Sequence, residues 1–190
     1  MGTQLGQERI FVALRVGQEA SESLSHWSAS IRETYHFRKW THPQDLHITI
    51  QFLGDVWVEE IEKIKHALYQ VAKQNHSFAL QLGSLDTFGL IEAPKVWWVQ
   101  PEGDLQSLDH LQSEIGHTCT ALGYSPADRP YRPHITIARK YKGEIPFSEL
   151  EHSFELPSLS WQVTEIVLCK IRVGSQPTYE NLAVFPLLTK

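Results

Sequence analysis

Cysteine is scarce in this chain: Cys119 and Cys169 stand alone, with no Cys-x-x-Cys spacing. That excludes a disulfide framework and a thiolate metal site, and both thiols read as small buried hydrophobes in a reducing compartment. No stretch approaches the ~20 consecutive apolar residues that a membrane-spanning helix needs, and the first residues hold no apolar run of signal-peptide length. Met1-Gly2 opens like a myristoylation signal, but Gly6 stands where that pattern wants Ser or Thr. The expectation is a cytoplasmic protein. Cations are not in excess either, 17 Lys and Arg against 22 Asp and Glu, for a formal charge of −5. Bulk attraction to nucleic acid is therefore not expected, although a local basic cleft stays open.

What is present is an ordinary globular composition, 42% hydrophobic and 21% charged, over 190 residues. This is enough to bury one large core or the cores of two small intimate lobes. Arg9 to Val16 (RIFVALRV) reads as a buried strand, and Ala20, Leu24, Trp27, Ile31 and Tyr35 recur at the three- and four-residue spacing of a helix face. A basic, aromatic loop follows (His36 to Pro43), then a strand from Leu46 to Leu53 and a second helix from about Val58 to Lys73. Ser77 to Leu85 alternates like a half-buried strand, and Asp86 to Pro94 reads as a loop where the chain crosses to a second half.

At Lys95 the order begins again: a strand to Gln100, a helix from Leu105 ending at Gly123, a proline-rich basic loop (Ser125 to Pro133), and a strand from His134. Arg9 precedes His47 by 38 residues and Lys95 precedes His134 by 39. The organisation is thus repeated at nearly constant spacing, as a duplication with pseudo-two-fold symmetry would give. Beyond it, Pro146 to Leu150 suggests a short helix, Leu159 to Ile171 includes a strand (WQVTEIVLCKI, from Trp161), and Tyr179 to Leu187 reads as a last strand joined through a Gly174-Ser175-Gln176-Pro177 turn.

Each repeat delivers the same tetrapeptide, His47-Ile48-Thr49-Ile50 and His134-Ile135-Thr136-Ile137. In an extended chain, residues i and i+2 share a face, so each strand presents one imidazole beside one hydroxyl. A neutral imidazole accepts a proton and an imidazolium donates one near neutral pH. Two histidines on opposite sides of a phosphorus centre can therefore divide the work, one taking a proton from attacking water and the other protonating the leaving oxygen. Thr49 and Thr136 could donate to the non-bridging oxygens as charge builds there. A lone His-x-Thr on a strand is ordinarily structural; two at matched positions are not ordinary. Arg38, Lys39 and Trp40 precede the first motif, Arg129, Tyr131 and Arg132 precede the second, and Arg139 and Lys140 follow it. Cations suit phosphate and aromatic faces suit bases. Strict alternation from His134 puts Arg139 on the opposite face, so it reaches a phosphate only if the strand ends or bulges near Ala138. A metal site built on His42 and His47 is disfavoured by the lack of a Cys/His cluster with metal spacing.

The segments His47-Ile-Thr-Ile-Gln-Phe-Leu-Gly54 and Pro133-His-Ile-Thr-Ile-Ala-Arg139, with the RIFVAL start, closely resemble the two-histidine phosphoesterase superfamily, in particular its LigT-like RNA 2′,3′-cyclic phosphodiesterases. The resemblance spans roughly residues 9–187. It implies an α/β (α+β type) fold of two pseudo-symmetric lobes, with antiparallel sheets flanking a central groove and helices on the outer faces. Residues 1–190 would form one unit, with lobe 1 at about 9–86, lobe 2 at about 95–187 and room for strand exchange between them. It implies hydrolysis of an RNA 2′,3′-cyclic phosphate to a 2′-phosphate; the paired histidines themselves call for no metal or cofactor, and a monomer is the default expectation. His47 and His134 would be catalytic, with His47 protonating the 3′ oxygen and His134 acting on water; Thr49, Thr136 and Arg139 would hold the phosphate. Phe11 is placed against a base by the same analogy, while its apolar strand fits a buried core equally. Reversible 2′–5′ RNA ligation and a non-catalytic nucleotide- or RNA-binding module of the same fold remain as alternatives.

Overall fold

The computed structural model describes residues 6–125, 130–150 and 155–189. The chain runs β1 (Gln7–Arg15), α1 (Gln18–Ile31), β2 (Phe37–Trp40), β3 (His47–Trp57), α2 (Ile61–Ala72), β4 (Phe78–Gly89), β5 (Pro94–Gly103), α3 (Leu105–Ala121), β6 (Ile135–Tyr141), β7 (Ser160–Val163), β8 (Glu165–Ile171) and β9 (Tyr179–Pro186). All strands belong to one sheet in the order β7-β4-β5-β6-β3-β1-β8-β9, with β2 added to β6. Its strand pairings are antiparallel.

That order is palindromic about the β6/β3 junction. Each motif strand is central, its partner from the same repeat (β5 or β1) lies next, and a hairpin or strand pair completes each side. The junction is narrow: Ile48↔Ile135 is the one register pair between β3 and β6. The sheet therefore opens into two wings, with the motif strands at the crease.

The wings do not follow chain order. Asp86–Gly89 and Pro94–Gly103 pair with each other inside one wing, so the expected crossing loop at 86–94 is instead a hairpin. Apart from β2, which reaches over to β6, the chain crosses between α2 and β4 and returns at Thr164, which splits the expected single strand 161–171 into β7, beside β4, and β8, beside β1. The basic loop after α1 also contains a strand, because Phe37 and Trp40 have a core to enter: Phe37 lies parallel to Trp97 at 5.6 Å, and Tyr35 meets the same indole at 4.8 Å. Helix α1 stops at Ile31, short of the predicted Tyr35, and Tyr35 still reaches the core from the turn that follows.

Helices carry the exchange further. Helix α3 of the second repeat packs on β3 and α2 of the first, whereas α1 packs toward β7 of the opposite wing. Gly17, at the head of α1, approaches so closely that a Cβ there would lie 2.5 Å from that of Trp161. Ile10, Val12, Leu14, Ile48, Ile50, Ile135 and Ile137 face the helices and form the main core. Phe11, Ala13, Val167 and Cys169 form a small separate cluster on the other face, where the histidines stand. Both thiols are buried, and burial pushes each up to about 11, so they are inert fillers, as expected.

Candidate active site

The motif strands put His47 and Thr49 on the face opposite the helix-packed core, because Ile48 and Ile50 take the core face. Thr136 does the same between Ile135 and Ile137. Antiparallel pairing at Ile48/Ile135 sets Thr49 toward His134 and His47 toward Thr136. The two imidazoles are close enough that a charge on His134 would repel one on His47.

Both rings are pinned alike. His47 Nδ1 lies 2.6 Å from the Asp45 carbonyl oxygen, and His134 Nδ1 lies 2.8 Å from that of Arg132. A carbonyl only accepts, so the proton sits on Nδ1 in each neutral ring, and Nε2 is the atom left to gain or give a proton. At His47 the Thr49 hydroxyl lies 3.1 Å from Nε2 and can donate to it. Each ring also has an aromatic wall: Phe11 and Tyr179, both at 5.0 Å, flank His47, while Phe88 at 5.1 Å and Trp98 at 5.8 Å flank His134.

Burial dominates the titration of both histidines. It lowers His47 to about 4, assisted by Arg15, Arg139 and His134 and opposed by the Asp45 carbonyl. His134 is lowered as well, by burial first and then by Arg139 and Arg132, against the Arg132 carbonyl. At neutral pH the unliganded site therefore holds neutral rings under positive guanidinium groups, an arrangement that favours an incoming anion.

Arg139 reaches this face through a bulge. Trp97 pairs with Ala138 but Trp98 pairs with Thr136, so Ile137 is skipped and the alternation re-phases. Its Nη2 donates to Thr136 Oγ1 at 3.3 Å, which leaves the threonine hydroxyl hydrogen free for a further acceptor. The same device operates in the first motif: Ala13 pairs with Thr49 but Val12 pairs with Gln51, which brings Phe52 opposite Phe11. Phe52 and Arg139 thus occupy matching positions, five residues after their histidines, and both are exposed.

The structure brings His47, Thr49, His134, Thr136 and Arg139 together and corrects the placement of Phe11. Phe11 is only 3% exposed, with its ring enclosed by His47 and Tyr179, so it has no free face for a base. The flanking loops also differ from expectation. Trp40 packs among Phe37 and Trp97 with Arg32 over its ring, Lys39 donates to Thr178, and Arg132 lies over Trp98 at 4.9 Å while paired to Asp86 at 2.7 Å. Arg129 falls outside the described residues. His42 Nδ1 accepts from the Gln44 amide as the cap of the 3-10 turn Pro43–Asp45, which uses the lone pair that a metal would need.

Sequence reasoning did not find Asp45, Phe52, Phe88, Trp98, Tyr179 or Arg15. Arg15 was legible, since positions 11, 13 and 15 of a strand share a face; it pairs with His47 and donates to the Gln44 carbonyl and Asn181 Oδ1. The others depend on bulges or distant pairings that carry no local signal.

The profile of the 2′-5′ RNA ligase superfamily matches residues 11–174, and the chain belongs to that family. It is 38% identical over 179 residues to an RNA 2′,3′-cyclic phosphodiesterase of Geobacillus stearothermophilus, covering 94% of this chain and 57% of that protein. It is 33% identical over 151 residues to a protein of the same name from Bacillus subtilis, covering 80% and 81%. The fold matches Escherichia coli LigT complexed with 3′-AMP, with a TM-score of 0.74 at 23% identity over 95% of this chain and 98% of that one. A Thermus thermophilus protein gives 0.72 at 24% over 96% and 99%. Among the described residues no helix is long and apolar enough to cross a membrane.

Proposed function

We propose that this protein is an RNA 2′,3′-cyclic phosphodiesterase that opens the ring to a 2′-phosphate by paired-histidine acid/base catalysis. One observation carries this reading: two histidines held in the same tautomer by carbonyls two residues upstream, each with Nε2 available and a threonine alongside, meeting under one arginine. The names of the relatives support the same activity. In the proposed step, water attacks phosphorus and passes a proton to His134 Nε2, the P–O3′ bond breaks, and His47 Nε2 protonates the departing 3′ oxygen. Thr49, Thr136 and Arg139 hold the non-bridging oxygens, and no metal takes part in the step. His47, neutral when the site is empty, takes up its proton as the anionic phosphate enters.

A 5′-hydroxyl in place of water would form a 2′–5′ linkage through the same residues, the second reading that the family's name favours. The deciding experiment offers a panel of cyclic-phosphate mononucleotides and oligonucleotides to the protein in EDTA, with and without 5′-hydroxyl RNA. A 2′-phosphate product is expected. A 3′-phosphate, loss of turnover with the chelator, or tight nucleotide binding without any product would overturn the proposal.

A further inference from the structure

Among the described residues Asp45 is the one charged side chain that is buried, 4% exposed, and it is tied to the site in two ways. Its main-chain oxygen accepts the Nδ1 proton of His47 at 2.6 Å. Its carboxylate is engaged elsewhere: Oδ2 accepts from the Thr178 amide at 2.8 Å and Oδ1 from the Tyr179 amide at 3.1 Å, 133 and 134 residues further along the chain. Tyr179 then returns its ring edge to His47 at 5.0 Å and 87°. The three residues form a closed loop of contacts: carbonyl to imidazole, carboxylate to amides, phenol ring to imidazole.

We propose that Asp45 is a positioning residue for the acid/base reaction: it fixes the tautomer and tilt of His47 by clamping the 3-10 turn Pro43–Asp45 onto the start of β9. A buried carboxylate is retained at a cost unless its lone pairs are satisfied, and here two main-chain amides satisfy them. The second wing has the same logic in different chemistry. The residue two before His134, Arg132, pins that ring through its carbonyl and anchors its side chain on Asp86 and Trp98, in the β4–β5 hairpin. Each histidine is thus held by a residue whose side chain reaches a strand of its own wing, and the local sequence around each motif shows only half of the arrangement. Asp45 does not touch the reacting atoms; it acts through His47.

The inference rests on the proposed function only for its kinetic arm. In Asp45→Asn, the amide can accept one amide hydrogen and presents its own hydrogens to the other, so the clamp opens while the shape is kept. Turnover of a 2′,3′-cyclic mononucleotide should fall roughly ten- to a hundredfold in kcat, the scale of a misplaced catalytic group, with KM within about twofold. The nitrogen chemical shifts of the histidines, read by NMR without substrate, should show His47 passing from a fixed Nδ1–H tautomer to a mixture while His134 stays fixed. That second arm stands even if the protein proves inactive on cyclic phosphates. Should the Asn variant fail to fold, Asp45→Glu, which keeps the charge and displaces the carboxylate, is expected to give the same selective change at His47. Wild-type kcat, an unaltered His47 tautomer, or equal loss at both histidines would overturn the proposal.

Discussion

Ile48 pairs with Ile135, and through this single register contact the two wings of the sheet are joined. Both side chains are fully buried on the helix face, and their neighbours in sequence carry the histidines and threonines on the other. A core contact and the spacing of the site are therefore one feature. Ile48→Ala should cost about 2–5 kcal/mol of unfolding free energy, as for other buried Ile truncations. It should also lower kcat at temperatures where the variant remains folded. Denaturant unfolding and steady-state kinetics on the same preparation check both, and a stability loss with unchanged kcat would separate the core from the site.

Proton linkage gives a second test. Burial lowers His47 to about 4 in the folded protein, against about 6.5 for an unperturbed histidine. The unfolded chain then binds more protons between those values, so this contribution to stability is complete above about pH 6.5 and is lost as the pH falls toward 4. His134, lowered for the same reason, adds to the loss. A bound anion works the other way, because it stabilises the imidazolium. Sulfate, which does not titrate in this range, should bind more tightly at pH 5 than at pH 7, with proton uptake measurable by calorimetry in buffers of different ionisation enthalpy. Arg139→Gln should raise both histidines, since Arg139 helps to depress each, while weakening sulfate binding.

Phe11 and Phe52 face each other across β1 and β3 and have opposite fates. Phe11 is sealed beneath His47, whereas Phe52 is 49% exposed on the same face. Phe11→Ala should therefore act on the fold, costing about 3–5 kcal/mol. Phe52→Ala should leave stability within about 1 kcal/mol and weaken a nucleoside 2′-monophosphate about five- to a hundredfold, the range for loss of a stacking platform, with sulfate affinity unchanged. Titration of both ligands against both variants reads this directly.

The contrast shows what a sequence reveals. The period-2 pattern of the two His-Ile-Thr-Ile segments places the histidines and threonines correctly, since it depends only on strand geometry and on isoleucines seeking a core. The same pattern sends Arg139 and Phe52 to the wrong face, because a bulge is a property of pairing with the neighbouring strand. The crossing at Thr164 was hidden for a similar reason: one continuous strand-like stretch, 161–171, with neither Gly nor Pro to punctuate it, serves two strands at distant places in the sheet. Asp45 was invisible because its partners, Thr178 and Tyr179, are brought to it only by the completed sheet.

The division of labour between the histidines can be resolved by leaving-group chemistry. Both rings have Nδ1 donated to a carbonyl, so neither tautomer nor reach separates them. They differ in surroundings: His47 is lowered to about 4 and faces the Thr49 hydroxyl, while Arg132 crosses the aromatic wall beside His134. If His47 is the acid, a phosphodiester whose leaving group needs no proton, such as a nitrophenolate, removes its task. His47→Ala should then recover most of its deficit on that substrate, whereas His134→Ala, lacking the base, should stay impaired by about 10²-fold or more. On a cyclic nucleotide, whose leaving alkoxide needs protonation, both variants should be severely impaired. Recovery in His134→Ala instead would exchange the two roles, and equal impairment on both substrates would mean that neither histidine acts as a dedicated general acid.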